Sequence, residues 1–222
     1  RGFLLDVQID RKYIVFSVMA VKERKSRIRK KQEILESARQ LIEQKAYEEI
    51  TMEDIAATVS LSRPALYLYY KNKAEIYLAL LTRGLQELNE GYDRALNALN
   101  EAKPVDTLKA AAIAFFEFYG RNHAYFDLLI TKRSELVRES GIDIVEDFEV
   151  AGKGAVTPIA RAYESGIATG DFRRRDPQKM AFVLRSVAIG IAVGFREGNL
   201  KFPEDVALLT DMVLNGILDT ST

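Results

Sequence analysis

Between Thr51 and Lys73 the chain reads TMEDIAATVSLSRPALYLYYKNK, and its reactive groups there are hydroxyls, phenols, carboxylates and a few cations. The chemistry open to the cations and hydroxyls is recognition of anions. Asn72, with Glu75 three residues on, has the spacing of a capping box that opens a helix, which puts Lys73 in the first turn. A cation there opposes the helix dipole and has no local stabilising reason to be present. A phosphate at that N-terminus would be held by the lysine and the unpaired backbone N–H groups together. An ordinary solvated lysine is the competing reading, and the surrounding pattern raises the phosphate reading. Arg63, ten residues earlier, carries a guanidinium suited to reading guanine.

The elements that must position these groups are two short helices joined by a corner. Thr51 and Asp54 form a capping box, flanked by Ile50 and Ile55 as a hydrophobic staple. Met52, Ile55, Ala56 and Val59 recur at helical spacing over about two turns. Val59 and Leu61 seek burial, so Val59-Ser60-Leu61 reads as a tight corner between packed helices. Ser62 caps the next helix, and Pro64 falls in its first turn, where a missing N–H costs nothing. Leu66 and Tyr70 are expected to face inward; Arg63, Ala65, Tyr67 and Tyr69 are expected outward or lateral. This is a helix-turn-helix, and it predicts that the first third of the chain binds DNA.

Composition limits the alternatives. There is no cysteine, hence no disulfide or thiolate metal site, and His123 is a lone histidine without a ligand partner. We expect no metal, no cofactor and no catalytic residue. The carboxylates Asp143 and Asp147 are an imaginable catalytic pair, but such helix neighbours are usually a solvated face. Gly152-Lys153-Gly154 lacks the strand, the upstream glycine and the Ser/Thr of a phosphate loop. No apolar run reaches the ~20 residues of a membrane span. The formal net charge is zero, yet residues 19–77 carry 12 Lys/Arg against 9 Asp/Glu and residues 78–222 carry 17 against 21. The basic charge is densest over Lys22–Lys31, which we read as phosphate-contacting.

Along the chain, residues 1–18 read as an N-terminal extension of unknown origin, with short strands at Phe3–Ile9 and Tyr13–Val18. Residues 19–77 read as the DNA-binding domain and 78–222 as a second, helical domain. A helix over 24–45 carries the stripe Ile28, Leu35, Ala38, Leu41 and Ile42, with Tyr47 plugging the small core. One long helix is predicted from Asn72 to about Asn100, so its movement would carry Lys73 with it. Further helices follow over 105–120, 123–137, 143–168 (weak at Gly152, Gly154 and Pro158), 177–197 and 204–218; the last two form a hairpin. The fold class is all-α.

The residues Ile34-Leu35, Ala38, Tyr47, Thr51, Asp54-Ile55-Ala56, Leu61-Ser62, Leu66-Tyr67, Tyr69-Tyr70 and Lys73 together resemble the N-terminal domain of TetR-family transcriptional regulators. Ala46, Ser60 and Pro64 stand where that family often has glycine, and Lys71 where it commonly has proline. The resemblance implies a cytoplasmic, ligand-responsive regulator, most often a repressor, binding a palindromic operator as a homodimer through its last two long helices. It also implies that Thr51, Tyr69 and Lys73 hold phosphates, that Arg63, Pro64, Ala65 and Tyr67 lie at the groove, and that Ser62 caps the helix and touches phosphate. The effector is expected between the long helix and the helices at 105–120 and 177–197, with Phe115, Phe116, Tyr119, Tyr125, Phe126, Tyr163 and Phe182 as candidate walls; that set points to an apolar or aromatic ligand. A ligand-binding helical dimer without DNA binding, or an enzyme, are the competing functions.

Overall fold

A computed structural model describes the backbone of residues 11–99, 103–201 and 204–217. Among these residues the secondary structure is helical, without strands. Contacts divide the chain into two compact units between Lys71 and Asn72.

The first unit holds α1 (Arg11–Ile42), a 3-10 turn at Tyr47–Glu49, α2 (Met52–Thr58) and α3 (Arg63–Tyr67). α1 begins well before the expected start, and Tyr13–Val18 is helical rather than a strand. The β-branched residues of that run are overridden because extending a formed helix costs little compared with nucleating one. The expected strand at Phe3–Ile9 lies outside the described residues. The stripe of α1 buries Ile34, Leu35 and Ala38, with Leu41 and Ile42 half-buried. Ile28, expected in that stripe, is 50% exposed, since the small core lies against only the C-terminal part of the helix. Tyr47, Ile50, Met52, Ile55, Ala56, Leu66 and Tyr70 complete the core.

The second unit is built on α4 (Lys73–Asn97), which touches α5 (Pro104–Arg121), α6 (His123–Glu139) and α7 (Ile142–Gly154). α8 (Thr157–Thr169) and α10 (Glu204–Asn215) pack mainly on α5, and α9 (Pro177–Arg196) packs mainly on α8 and less on α5. The expected helix over 143–168 breaks after Gly154 and restarts with Pro158 in the first turn of α8. Gly84 lets α6 approach α4 closely: a Cβ there would lie 2.1 Å from the Tyr125 ring, whose hydroxyl donates to Leu81 O at 2.5 Å.

α9 is capped by Asp176 Oδ1, which accepts from Lys179 N at 2.9 Å, as its Asp-Pro start predicts. By length and composition α9 is apolar enough to cross a membrane, contrary to the reading from uninterrupted runs; Lys179, Arg185 and Arg196 break the run without removing its average character. Little of it is buried: Val183 is 51% exposed, and on α10 Leu208 and Met212 are 60% and 63% exposed.

Candidate DNA interface and ligand cavity

The helix-turn-helix is held by its own caps. Asp54 N donates to Thr51 Oγ1 at 3.1 Å, while Thr51 N and Thr51 Oγ1 both donate to Asp54 Oδ2 at 2.8 Å. Those donors hold the Asp54 carboxyl below its usual range, the backbone N–H foremost. Thr51, expected at a phosphate, thus has its hydroxyl proton engaged within α2. Ser60 occupies the corner at φ 54°, the left-handed region that glycine enters without strain. Ser62 Oγ accepts from Ala65 N at 3.3 Å and opens α3.

α3 has five residues. Leu66 is fully buried, and Tyr70, just beyond it, is buried as well. Arg63, Pro64 and Tyr67 are exposed, with Ala65 and Tyr69 half-buried. Arg63 Nη1 lies 2.6 Å from Glu53 Oε1, and Nη2 donates to the Tyr67 hydroxyl at 3.3 Å with the guanidinium 5.7 Å from that ring. The Tyr67 hydrogen bond first, then the Glu53 charge, raise its pKa, so it stays a cation. Lys73 opens α4 in the second unit and is half-buried, beside the cap in which Asn72 Oδ1 accepts from Glu75 N at 2.8 Å.

The basic run on α1 divides by role. Arg27 Nη2 donates to Leu68 O at 2.7 Å, at the end of α3, and its guanidinium lies over the Tyr69 ring at 5.4 Å. Lys31 lies over Tyr70 at 4.9 Å. Arg29 and Lys30 pair with Glu33 at 3.3 and 2.5 Å. These four serve the unit's own structure, which narrows the phosphate reading to the exposed Lys22, Arg24 and Lys25.

In the second unit a cavity of about 770 Å³ lies among α4, α5, α6, α7, α8 and α9. Phe115, Tyr125, Phe126 and Phe182 line it. Phe116 lines an adjoining crevice of about 70 Å³ with Leu108, Leu184 and Val213, which shares Tyr92, Phe115 and Arg185 with the cavity. The structure does not bring Tyr119 or Tyr163 to the larger cavity: Tyr119 packs edge-on against His123 at 4.7 Å, and Tyr163 stacks on Phe172 at 5.3 Å and donates to Arg173 O. Asp143 and Asp147 are both exposed on α7.

The family model of bacterial regulatory proteins of the TetR family matches residues 34–80. The regulator EthR of Mycolicibacterium smegmatis is 30% identical over 91 residues, spanning 41% of this chain and 42% of that protein. Residues 34–80 thus carry the N-terminal domain of TetR-family regulators. The transcriptional activator FasR of Mycolicibacterium smegmatis is 27% identical over 159 residues, covering 72% of this chain and 65% of FasR. The chain thus spans less than half of EthR and about two thirds of FasR. The two-unit TetR fold extends to solved structures: the regulator FadR of Bacillus subtilis, solved with stearoyl-CoA, superposes with TM-score 0.66 over 83% of this chain and 95% of that one, at 17% identity. These relatives are regulators rather than enzymes.

Sequence reasoning missed several residues of these two sites. Glu53 holds Arg63, and Arg27 holds the end of α3, through contacts 10 and 41 positions apart that helical spacing does not reveal. Phe118, Arg133, Phe148, Glu149 and Arg185 line the cavity. Arg185 was detectable, as a lone cation inside the apolar stretch of α9.

Proposed function

We propose that the chain is a homodimeric transcriptional repressor that binds a palindromic operator and releases it on binding a small molecule with an apolar body. The observation that carries this is α3, which turns Arg63, Pro64 and Tyr67 to solvent while Leu66 and the following Tyr70 anchor it. In this reading Arg63 contacts guanine, Ala65 and Tyr67 meet base edges or the groove wall, and Thr51, Ser62, Tyr69 and Lys73 contact phosphates. Thr51 would exchange its Asp54 bond for one to phosphate, or contribute through its backbone. The protein acts in the cytoplasm. Dimerisation through α9 and α10 covers the exposed Val183, Val187, Leu208 and Met212 and presents two recognition helices about 34–36 Å apart, one turn of DNA.

The cavity lies within the usual range of small-molecule sites, ~300–1,000 Å³. That FadR, a relative in fold, was solved with stearoyl-CoA supports an amphipathic ligand. FasR is an activator by name, so the sign of regulation is read by experiment.

The test is selection of fragmented genomic DNA by the purified protein at two salt concentrations, followed by a reporter assay on the enriched site. We expect a palindrome, bound more weakly at higher salt, and reporter expression that rises when the protein is deleted. Failure of an intact dimer to enrich any site would leave a ligand-binding helical dimer as the function.

A further inference from the structure

The cavity is not uniformly apolar. Arg133, Glu149, Lys153 and Arg185 lie on its wall, three cations against one carboxylate. Arg133 is served: its Nη2 donates to Glu149 Oε1 at 2.8 Å, and its guanidinium rests over Phe148 at 5.4 Å. Arg185 rests in the same way over Phe182 at 5.0 Å, which orients its guanidinium plane. Its Nε, however, is buried and has no hydrogen-bond acceptor among the described residues. Burial first, and the neighbouring Arg133 cation next, push the Arg185 pKa below its ordinary value; Glu149 and the Tyr92 phenol act the other way without reversing the shift. A buried N–H left unpaired is costly, and a guanidinium is built to meet a planar, two-oxygen anion. The remaining wall, with Leu88, Phe115, Phe118, Phe126 and Ile189, suits an apolar body.

We infer that this cavity takes an anionic amphiphile: an apolar chain or ring system ending in one carboxylate, whose oxygens accept from Arg185. The inference rests on the reading of this space as the ligand cavity, and it names the ligand's chemical class. Gln178, Phe182, Arg185 and Ile189 bring α9 to the cavity, while Val183 and Val187 of the same helix are exposed. A carboxylate on Arg185 therefore engages the helix assigned to dimer formation.

The test is calorimetric titration of the full chain with decanoate below its critical micelle concentration and with decanol below its aqueous solubility. The wild type should bind decanoate about tenfold or more tightly than decanol. Arg185→Met should abolish that preference and leave decanol binding unchanged, while Arg185→Lys should keep part of it. Equal affinity of the wild type for acid and alcohol would overturn the inference without any variant having to fold. So would an acid preference that survives in a folded Arg185→Met protein. A wild-type preference for decanoyl-CoA over decanoate would overturn it too, because there a neutral thioester replaces the carboxylate and the charge sits on the coenzyme's phosphates. Operator binding is measured separately. A wild type without the acid preference but with operator binding intact sinks this inference alone; an acid preference without operator binding sinks the regulator reading alone.

Discussion

Ser60 shows how one residue adapts a common turn at a cost. Its φ of 54° is available to serine, but only with the Cβ crowding that glycine lacks. Ser60→Gly is expected to stabilise the first unit by about 0.5–1 kcal/mol, the relief of strain being offset in part by a freer unfolded chain, as read by chemical denaturation. Asp54 gives the same unit an acid-sensitive joint. Its folded pKa lies below the unfolded value, so its stabilising contribution is complete above the unfolded pKa and is lost as pH falls through the folded one. Asp54→Asn should flatten the loss of stability expected of the parent chain below about pH 4. In the proposed reading Arg63 is the residue on which recognition turns. Arg63→Ala should weaken binding to the selected operator roughly ten- to hundredfold and relax preference at one base pair per half-site, whereas Lys73→Ala should weaken all sequences alike and lower the salt slope.

At the scale of the element, α3 is too short to stand alone and borrows its order. Five residues make barely more than a turn, far below the ~12–15 that an isolated helix needs. Ser62 caps one end, Leu66 anchors the middle, and Arg27 of α1 takes the last carbonyl. Removing that hydrogen bond in Arg27→Ala should destabilise the first unit by about 1 kcal/mol and lower affinity for every operator sequence without changing which is preferred. α4 offers the converse case. An alanine in place of a helical glycine ordinarily adds about 1 kcal/mol of stability. Gly84→Ala should instead destabilise by about 1–3 kcal/mol, since the new methyl would overlap the buried Tyr125 ring 2.1 Å away. Denaturation of the two proteins side by side decides the sign.

For the whole molecule the governing feature is apolar surface that one chain leaves open. α9 and α10 expose Val183, Val187, Leu208 and Met212, which the proposed dimer would cover. Val183→Asp with Met212→Asp should give a monomer in analytical ultracentrifugation that still folds and loses most of its operator affinity, because one recognition helix then binds without its twin. An unchanged dimer would place the interface elsewhere.

What the sequence determined by itself was local: the Thr51–Asp54 box, the Ser62 and Asp176 caps, the proline at the start of α9, and the inward Leu66 and Tyr70. These depend on spacings of a few residues, where a side chain meets its own backbone, and for the same reason the outward set at α3 was legible before any fold was known. The tertiary structure decided what lies across long separations. It exposed Ile28, because the core stops short of that turn of α1; it turned Arg27 and Lys31 from free basic charge into supports for Leu68, Tyr69 and Tyr70. It also chose which aromatics face the cavity: Tyr119 and Tyr163 share the helical periodicity of Phe115 and Phe126 but meet His123 and Phe172 instead. Periodicity says that a side chain is buried, and only the arrangement of the neighbouring helices says whether it is buried against protein or against space.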